Sequence, residues 1–538
     1  MITVAPSRAL DGVPRIMTDV SEQELDVIRS LFVQWRAKYP RNRLRSLYHD
    51  AKMPLKPSGN IPAEAMARIR AVLDWPEKSV SALAERSIFD AFVSPGGEQD
   101  PFELGAMLDA NRFDLELPQA ITSAYKHSCA FLTTALGDTA AGEPEVTLMA
   151  RSAEWSTAIW DKRRRAVGAA LAITDTDDQG RPSAMDVYLP DAVLLCTRRP
   201  SGSWIVDRRE NPLGEVLVEP LAFDPQLDRP FGRSRISRTV MNITDHALSA
   251  IVRGEIGADF YTLPKIIVTR IAEDAFSRGK WQMAVDRITG FTADEEGNAP
   301  DVKQLQQMTM QPLTDQYRMY ASQFSGATGV PIDSLGIITE NPPSAESIYA
   351  ADRRLTTTAK RQNRIMTATL RRVAGRMVRL RDGGEITDEL RRIDCNWVNP
   401  EFTSPGAAAD ALVKVSAVFP WISESEVGLE MAGFTSAQIT RLLADKRRAQ
   451  SGDRLQALAA IGRGAPTADA MTAPVAPTGV ANAQTLKAQF DALGVAVRAG
   501  VEPTDAARRV GLDGIEFTGA VPTSLRVLED EAQGLEEK

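Results

Sequence analysis

Apolar positions fall into two rhythms along the chain, a helical one at both ends and an alternating one between. Ser21 opens the first clear helix, with Glu24 three residues on as a capping box and Leu25, Ile28, Leu31, Phe32 and Trp35 on one stripe. Pro40 is expected to stop it. Further helices are predicted over 61–73, 76–92, 101–111 and 117–129. From about 130 to 222 the rhythm changes. Short β-prone runs (EVTLMA, MDVYLP, AVLLCT, SWIVDR, EVLVEP) alternate with the turn elements DQGRP, RPSGS and ENPLG, which predicts a small antiparallel β-rich region.

The helical rhythm returns at 235–260, where Ile236, Val240, Ile243, Ala247, Ile251, Val252, Ile256 and Phe260 recur at steps of three to five. Such a helix is about 39 Å long. KIIVTRI reads as a strand, 273–288 carries a short helical pattern, and Pro312 starts a helix to 329 with Leu313, Tyr317, Tyr320 and Phe324 on one face. After the loop IDSLGIITENPPSAES, Ser344 caps a helix that no proline interrupts until 382, roughly 58 Å if straight. Only Gly375 marks a weak point in it. IDCNWVNPEF is strand-like. Two or three short helices follow between 406 and 449, with Phe419, Trp421, Leu429, Phe434 and Ile439 as their core. The Ala/Gly/Pro-rich stretch after 450 reads as a flexible linker, and a helix pair near 484–499 and 503–511 precedes an acidic tail.

A chain of 538 residues is long enough for three or four structural units. With 43% hydrophobic and 25% charged residues it is globular in composition, which excludes wholesale disorder. The formal charge of −8 argues against a whole-molecule electrostatic grip on phosphate or anionic membrane. Cys129, Cys196 and Cys395 lack both disulfide-framework and zinc-type spacing and read as buried small hydrophobes. No signal peptide and no membrane span is read, so synthesis is expected in the cytoplasm.

The motifs of nucleotide-binding loops, zinc proteases and serine hydrolases are absent, and only His49, His127 and His246 could serve as a histidine base or ligand. His127 and Cys129 do not share a helical face. A two-metal nuclease built from scattered carboxylates is the enzymatic alternative. The long helix carries ten cations, Arg353, Arg354, Lys360, Arg361, Arg364, Arg371, Arg372, Arg376, Arg379 and Arg381, against Glu346, Asp352 and Asp382. Pairing with acidic neighbours is the favoured reading of that excess, phosphate contact the other.

Four stretches, in this order, resemble the portal proteins of tailed bacteriophages, particularly long-tailed ones. RPFGRSRISRTVMNITDHALSAIVRGEIGADFYTLPKIIV (229–268) is similar to the family's Gly-x-Ser lead into the first stem helix and its exit into the clip. QPLTDQYRMYASQFSGATGVPIDSLGI (311–337) looks like the second stem helix ending at a Gly-Val-Pro turn. ENPPSAESIYAADRRLTTTAKRQNR (340–364) is like the Ser-Ala-Glu-x-Ile start of the long helix after the tunnel loop, and 406–449 is similar to a crown.

The resemblance implies a mixed α+β, mainly α fold assembled as a ring, usually dodecameric. Its parts would be a wing (1–234), first stem helix (235–262), clip (263–311), second stem helix (312–330), tunnel-loop region (331–343), long wing helix with return strand (344–403), crown (404–449), and linker with acidic tail (450–538). It implies no enzymatic activity, no cofactor and no metal. The implied location is one capsid vertex of the virion, and the implied partners are further copies of the chain, major capsid and scaffolding proteins, the terminase large subunit, a head-tail adaptor and double-stranded DNA passing through. Another virion structural protein is the remaining alternative.

Thr339, Glu340, Asn341, Pro342 and Pro343 are expected to face the DNA, offering hydrogen bonds and an anion but no cation, since cations lining a conduit would hold DNA by counterion release. Ile243, Ile251, Asp245, Arg253 and Glu255 are expected at the subunit interface of the stem, a ring needing head-to-tail contacts. Lys265, Glu273 and Trp281 are expected on the clip, facing the terminase. Residues 501–538 carry nine acids and four bases, a departure from the family pattern.

Overall fold

The computed structural model describes residues 14, 17–54, 71–94, 100–261, 266–269, 301–304, 309–337, 345–401, 405–462, 493 and 502–509. The chain divides into two compact units, Met1–Ala444 and Asp445–Lys538. The first unit begins with α1 (Glu22–His49), α2 (Trp75–Ala84), β1 (Phe89–Val93), α3 (Leu104–Ala110) and α4 (Phe113–His127). A β region follows, made of β2 (Cys129–Leu136), β3 (Val146–Ser152), β4 (Ser156–Asp161), β5 (Ala166–Thr176), β6 (Pro182–Tyr188), β7 (Ala192–Arg198), β8 (Trp204–Glu210) and β9 (Val218–Ala222). Next come α5 (Arg238–Tyr261), β10 (Ile266–Thr269), β11 (Asp301–Gln304), α6 (Gln311–Thr328) and the long α7 (Ala345–Asp382). The short α8 (Asp388–Arg391), β12 (Asp394–Trp397), α9 (Pro405–Val418), α10 (Glu426–Met431) and α11 (Ser436–Gly462) complete the order before α12 (Pro503–Arg509) in the second unit.

The β region forms two sheets, because alternating residues close hairpins wherever the turn signals fall. Strands β4 to β8 make an antiparallel five-stranded meander, and β3-β2-β9 make an antiparallel three-stranded sheet. The stripe of α1 (Ile28, Leu31, Phe32, Trp35, Tyr39) packs on the meander through Leu171, Met185, Leu194 and Trp204. A second core joins the three-stranded sheet to α4 and α7, burying Ile121, Tyr125, Leu132, Leu221, Met366, Leu370 and Met377. A third holds Trp75 against Val240, Ile243 and Ala247 of α5 and Ala321 and Phe324 of α6. Burying such side chains contributes about 1.5–3 kcal/mol each, and these contacts orient the helices.

Several expectations are corrected. Pro40 does not end α1, which runs through it to His49. The proline and Arg36, whose carbonyl loses its donor, lie on the exposed face, where water can serve that carbonyl, while Tyr39, Asn42 and Ser46 continue the buried stripe. The helix expected over 76–92 stops at Ala84. The Ser87 and Tyr125 hydroxyls bond at 2.8 Å just beyond it, and Phe89–Val93 is a strand paired with β12. His127 and Cys129 straddle a helix end and a strand start instead of sharing a helix. The linker reading fails over 450–462, which α11 covers with good helix formers up to Gly462. Phe419, Trp421 and Phe434, expected as core, are exposed, while Ile439 is buried. The helix expected over 61–73 lies outside the described residues as far as 70, and 71–73 are not helical; the helices expected at 273–288 and over most of 484–499 also lie outside the described residues.

Between β9 and α5 the chain reverses within about a dozen residues. Gly232 has φ +68, and a Cβ there would sit 2.1 Å from the Phe223 carbonyl oxygen. That oxygen accepts from the Arg233 N–H at 2.9 Å, so the approach is part of the turn. Ser234 then donates to the Lys126 carbonyl at 2.6 Å and accepts from the Ile236 N–H at 3.0 Å, docking the start of α5 on α4. Gly232→Ala meets both the steric clash and the left-handed strain. It should lower unfolding free energy by about 2–4 kcal/mol in urea melts, and a change within about 0.5 kcal/mol would show that the turn relaxes freely.

Candidate functional site

Helices α5 and α6 are the elements expected to act together, and the structure sets them side by side. Arg235, just before α5, donates to the Thr328 carbonyl at the end of α6 at 2.9 Å, and His246 further along α5 stacks on Tyr320 with ring centroids 5.7 Å apart. One helix therefore runs against the other. Arg235 also donates to the Ser79 carbonyl and lies 5.8 Å from the Phe223 ring centroid, fastening α2, α5 and α6 together. Its burial pushes the guanidinium down to about 10. The antiparallel ribbon β10–β11 stands in sequence between the two helices, Ile266 opposite Gln304 and Thr269 opposite Asp301.

The candidate interface residues of the stem divide. Ile243 is 7% exposed and lies inside the chain's own core with Phe324 and Trp75, so its burial needs no second subunit. Asp245 receives the Tyr48 hydroxyl at 2.9 Å on both oxygens, an intrachain contact to α1. Ile251 is half-buried, and Arg253 and Glu255 are exposed. Within KIIVTRI, Ile266–Thr269 pairs with Asp301–Gln304 of its own chain. Lys265, Glu273 and Trp281 lie outside the described residues, as do Thr339, Glu340, Asn341, Pro342 and Pro343.

The cations of α7 meet acids of the same chain, as the pairing reading expected. Arg361 reaches Asp224 (3.0 Å), Arg372 reaches Glu219 (3.0 Å), Arg376 reaches Glu219 (2.7 Å) and Arg379 reaches Glu215 (2.6 Å). Arg376 and Glu219 are 6% and 2% exposed. Gln362 adds a bond to the Ala222 carbonyl at 2.8 Å, and the Thr369 hydroxyl adds one to Pro220 at 3.2 Å. Helix α7 is thereby keyed to strand β9 and the turn that follows it.

A second buried polar cluster was not foreseen. His127 lies between the Ser46 hydroxyl (3.0 Å at Nε2), the Ser123 and Ser152 hydroxyls (both 3.2 Å at Nδ1) and Glu154 (3.4 Å). Ser46 also donates to Glu154, and Trp35 donates to the Glu154 carbonyl at 2.9 Å. Its members come from α1, α4, the end of β3 and the β3–β4 turn, up to 119 residues apart for Trp35 and Glu154. Local sequence carries no signal for it. Burial lowers the His127 imidazole against the upward pull of Glu154. Burial alone would raise the Glu154 carboxyl, but bonds from His127 and Ser46 hold it below the usual range. Ser46, His127 and Glu154 are all buried, at 3%, 4% and 7% exposure.

Burial raises the cysteine thiols, to about 11 for Cys129 and about 12 for Cys196 and Cys395, away from the nucleophilic thiolate form. Among the described residues there is no group of three His, Cys, Asp or Glu side chains placed to hold a metal ion, and no helix is long and apolar enough to cross a membrane. Val413, Val418, Phe419, Trp421, Val427, Met431 and Phe434 are all exposed within 22 residues of chain, Trp421 at 68%. The Phe419 and Trp421 rings among them lie edge to face with centroids 6.5 Å apart.

Comparison with known proteins identifies the class. Residues 34–452 match the family "Phage portal protein, SPP1 Gp6-like", and the chain belongs to that family. The portal protein of Mycobacterium phage D29 is 25% identical over 393 residues, covering 69% of this chain and 78% of that one. The portal protein of Mycobacterium phage L5 is 24% identical over 393 residues, covering 68% and 77%. Among solved structures, a chain from the neck of a native GTA particle computed with C12 symmetry aligns over 71% of this chain and 94% of its own, at 12% identity and a TM-score of 0.36. Portal proteins are structural and non-enzymatic, so the nuclease alternative falls.

The His127 cluster makes a pH prediction. His127 is depressed when folded, so the unfolded chain binds its proton first, below about 6.5. Glu154, also depressed, contributes stability above its usual range, near 4.5, and loses it on acidification. Both act in one direction. The melting temperature of the wild type should fall between about pH 7 and 5, and His127→Gln should flatten that part of the curve. Parallel curves for the two proteins would contradict the assignment.

Proposed function

We propose that the chain forms the portal ring at one vertex of a phage capsid, the channel through which double-stranded DNA is packaged and ejected. The observation that carries this reading is the family match over 34–452, within which a helix, a β-ribbon and an antiparallel helix stand in the order a descending and returning channel wall requires. Under it, 1–234 with 344–403 form the wing, α5 and α6 the stem, 263–311 the clip and 404–449 the crown. In the virion the clip offers Lys265, Glu273 and Trp281 to the terminase and later the head-tail adaptor, and capsid and scaffolding proteins surround the wing.

Physical features support the assembly. The apolar face from Val413 to Phe434 gives a ring neighbour something to cover, and heterologous contacts of that kind close into rings. Along the stem, Ile251, Arg253 and Glu255 remain the candidates for subunit contact, since Ile243 and Asp245 are engaged inside the chain. Exposed ion pairs there contribute only about 0–1 kcal/mol each and set register more than stability. The net charge of −8, with the arginines of α7 held by Asp224, Glu215 and Glu219, keeps attraction for passing DNA low. Thr339 to Pro343 line the lumen in this reading.

Negative-stain images of the purified protein should show closed rings with a central hole; a monodisperse monomer would overturn the proposal. Trp421→Glu should lower ring yield by about tenfold or more by placing a charge in the covered face. The monomer's melting temperature should stay within about 2 °C of wild type, because the side chain is outside the core. Unchanged ring yield would remove the crown face from the interface. Deleting Thr339 to Pro343 should leave rings intact and impair DNA packaging or retention. Loss of folding on that deletion would refute the lumenal placement.

A further inference from the structure

The cationic face of α7 holds more guanidinium groups than the carboxylates beside it neutralise. A cavity of about 330 Å3 opens there, lined by Arg371, Arg372, Arg376 and Arg379 of the helix, by Arg391 and by Glu215. Glu219 pairs with Arg372 and Arg376, Glu215 with Arg379, and Asp388 with Arg391 at 3.1 Å. Arg371 gives an N–H to the Arg391 carbonyl at 2.6 Å. Set against Glu215, Glu219 and Asp388, these arginines leave two positive charges over.

Two of their N–H groups are also unmatched. Nε of Arg376 and Nε of Arg379 are buried without a hydrogen-bond acceptor, and the Glu215 oxygen lies 3.6 Å from the former, beyond bonding range. Arg376 as a whole is more than nine-tenths buried. Both N–H groups belong to side chains that line the cavity, and an unmatched buried donor is costly.

Gly375 lies on the same wall of the cavity. The residue is buried, yet a Cβ built on it meets nothing within 4 Å. Glycine in a helix interior is unfavourable relative to alanine, and here alanine would fit without a clash. Its presence leaves bare helix backbone facing a hollow rimmed with arginine, the space a ligand needs to come close.

We propose that this cavity binds a phosphate-class dianion. Guanidinium forks match phosphate oxygens two at a time, and the charge of a phosphate ester near neutral pH, about −1.5 to −2, matches the two positive charges left over. A lone carboxylate supplies half of that. The phosphate belongs either to a free anion of the size of orthophosphate or pyrophosphate, or to a nucleic-acid backbone presented at the rim; the cavity is too small for the duplex itself. This site stands on the chain's own geometry and holds whether or not the chain closes into a ring.

The test uses the full-length protein titrated with phosphate and pyrophosphate at constant ionic strength, with chloride as the control and a DNA duplex of about 20 base pairs as a second arm. Melting temperature and calorimetry are the readouts. Phosphate or pyrophosphate should raise the melting temperature where chloride does not. Gly375→Leu, which fills the hollow, should weaken binding by about tenfold or more, while Gly375→Ala should melt at or above the wild-type temperature without ligand. Arg372→Gln, at a half-exposed side chain, decides the matter if Gly375→Leu fails to fold, and should weaken binding several-fold.

Binding of the duplex with the same sensitivity, and no response to the free anions, assigns the phosphate to a nucleic-acid backbone. Equal shifts in chloride, binding that ignores the substitutions, or no binding of either probe would overturn the proposal; the last result would point to a neighbouring copy's carboxylate as the occupant.

Discussion

The buried ion pair between Arg376 and Glu219 fixes how the longest helix sits on the sheet. Both groups are removed from water and lie within 2.7 Å of each other; the half-exposed Arg372 also reaches Glu219 at 3.0 Å, so Arg376 depends on Glu219 more than Glu219 depends on Arg376. Around it, Gln362 bonding Ala222, Thr369 bonding Pro220 and Arg361 bonding Asp224 set the rotation and translation of α7 against β9 and the following turn. That turn carries Phe223, whose carbonyl organises the Gly232 reversal and whose ring flanks Arg235. From Arg235 the linkage passes to α2 and α6. The helix pair assigned to the channel wall thus takes its placement from a chain of contacts that begins at a charge pair.

Much of this architecture was legible because long amphipathic stripes and alternating strands have distinctive periods. The stripes at 21–39, 235–260, 312–329 and 344–382 and the β region at 130–222 all formed where expected. What was missed depends on tertiary context. Pro40 is accommodated because the donor it lacks faces solvent, and Phe89–Val93 becomes a strand because β12, some 300 residues later, supplies its partner. Phe419, Trp421 and Phe434 have the apolar character of core residues, and composition cannot say whether a partner subunit or the chain itself will cover them. Partners of the α7 arginines were expected to be acidic, yet Glu215 and Glu219 could not be singled out from a distance of about 160 residues.

Site residues were less legible than the fold for the same reason. Ile243 and Asp245 sit on a helix with several faces, and periodicity marks an apolar stripe without saying who buries it. The structure gives Ile243 to Phe324 and Trp75, and Asp245 to Tyr48. The His127 cluster and Arg235 bind residues from distant segments, so their role emerges only in three dimensions. Charge was the more legible feature: the cations of the long helix were expected beside acids, and Asp224, Glu215 and Glu219 supply them.

A double-mutant cycle on Arg376 and Glu219 tests this ordering of contacts most directly. Glu219→Leu should lower unfolding free energy by about 3–5 kcal/mol, by stranding the Arg376 charge, and Arg376→Met by less, because Arg372 still reaches Glu219. The double variant should recover most of that loss, a coupling above about 2 kcal/mol. Losses that simply add would contradict the claim that this pair anchors the long helix.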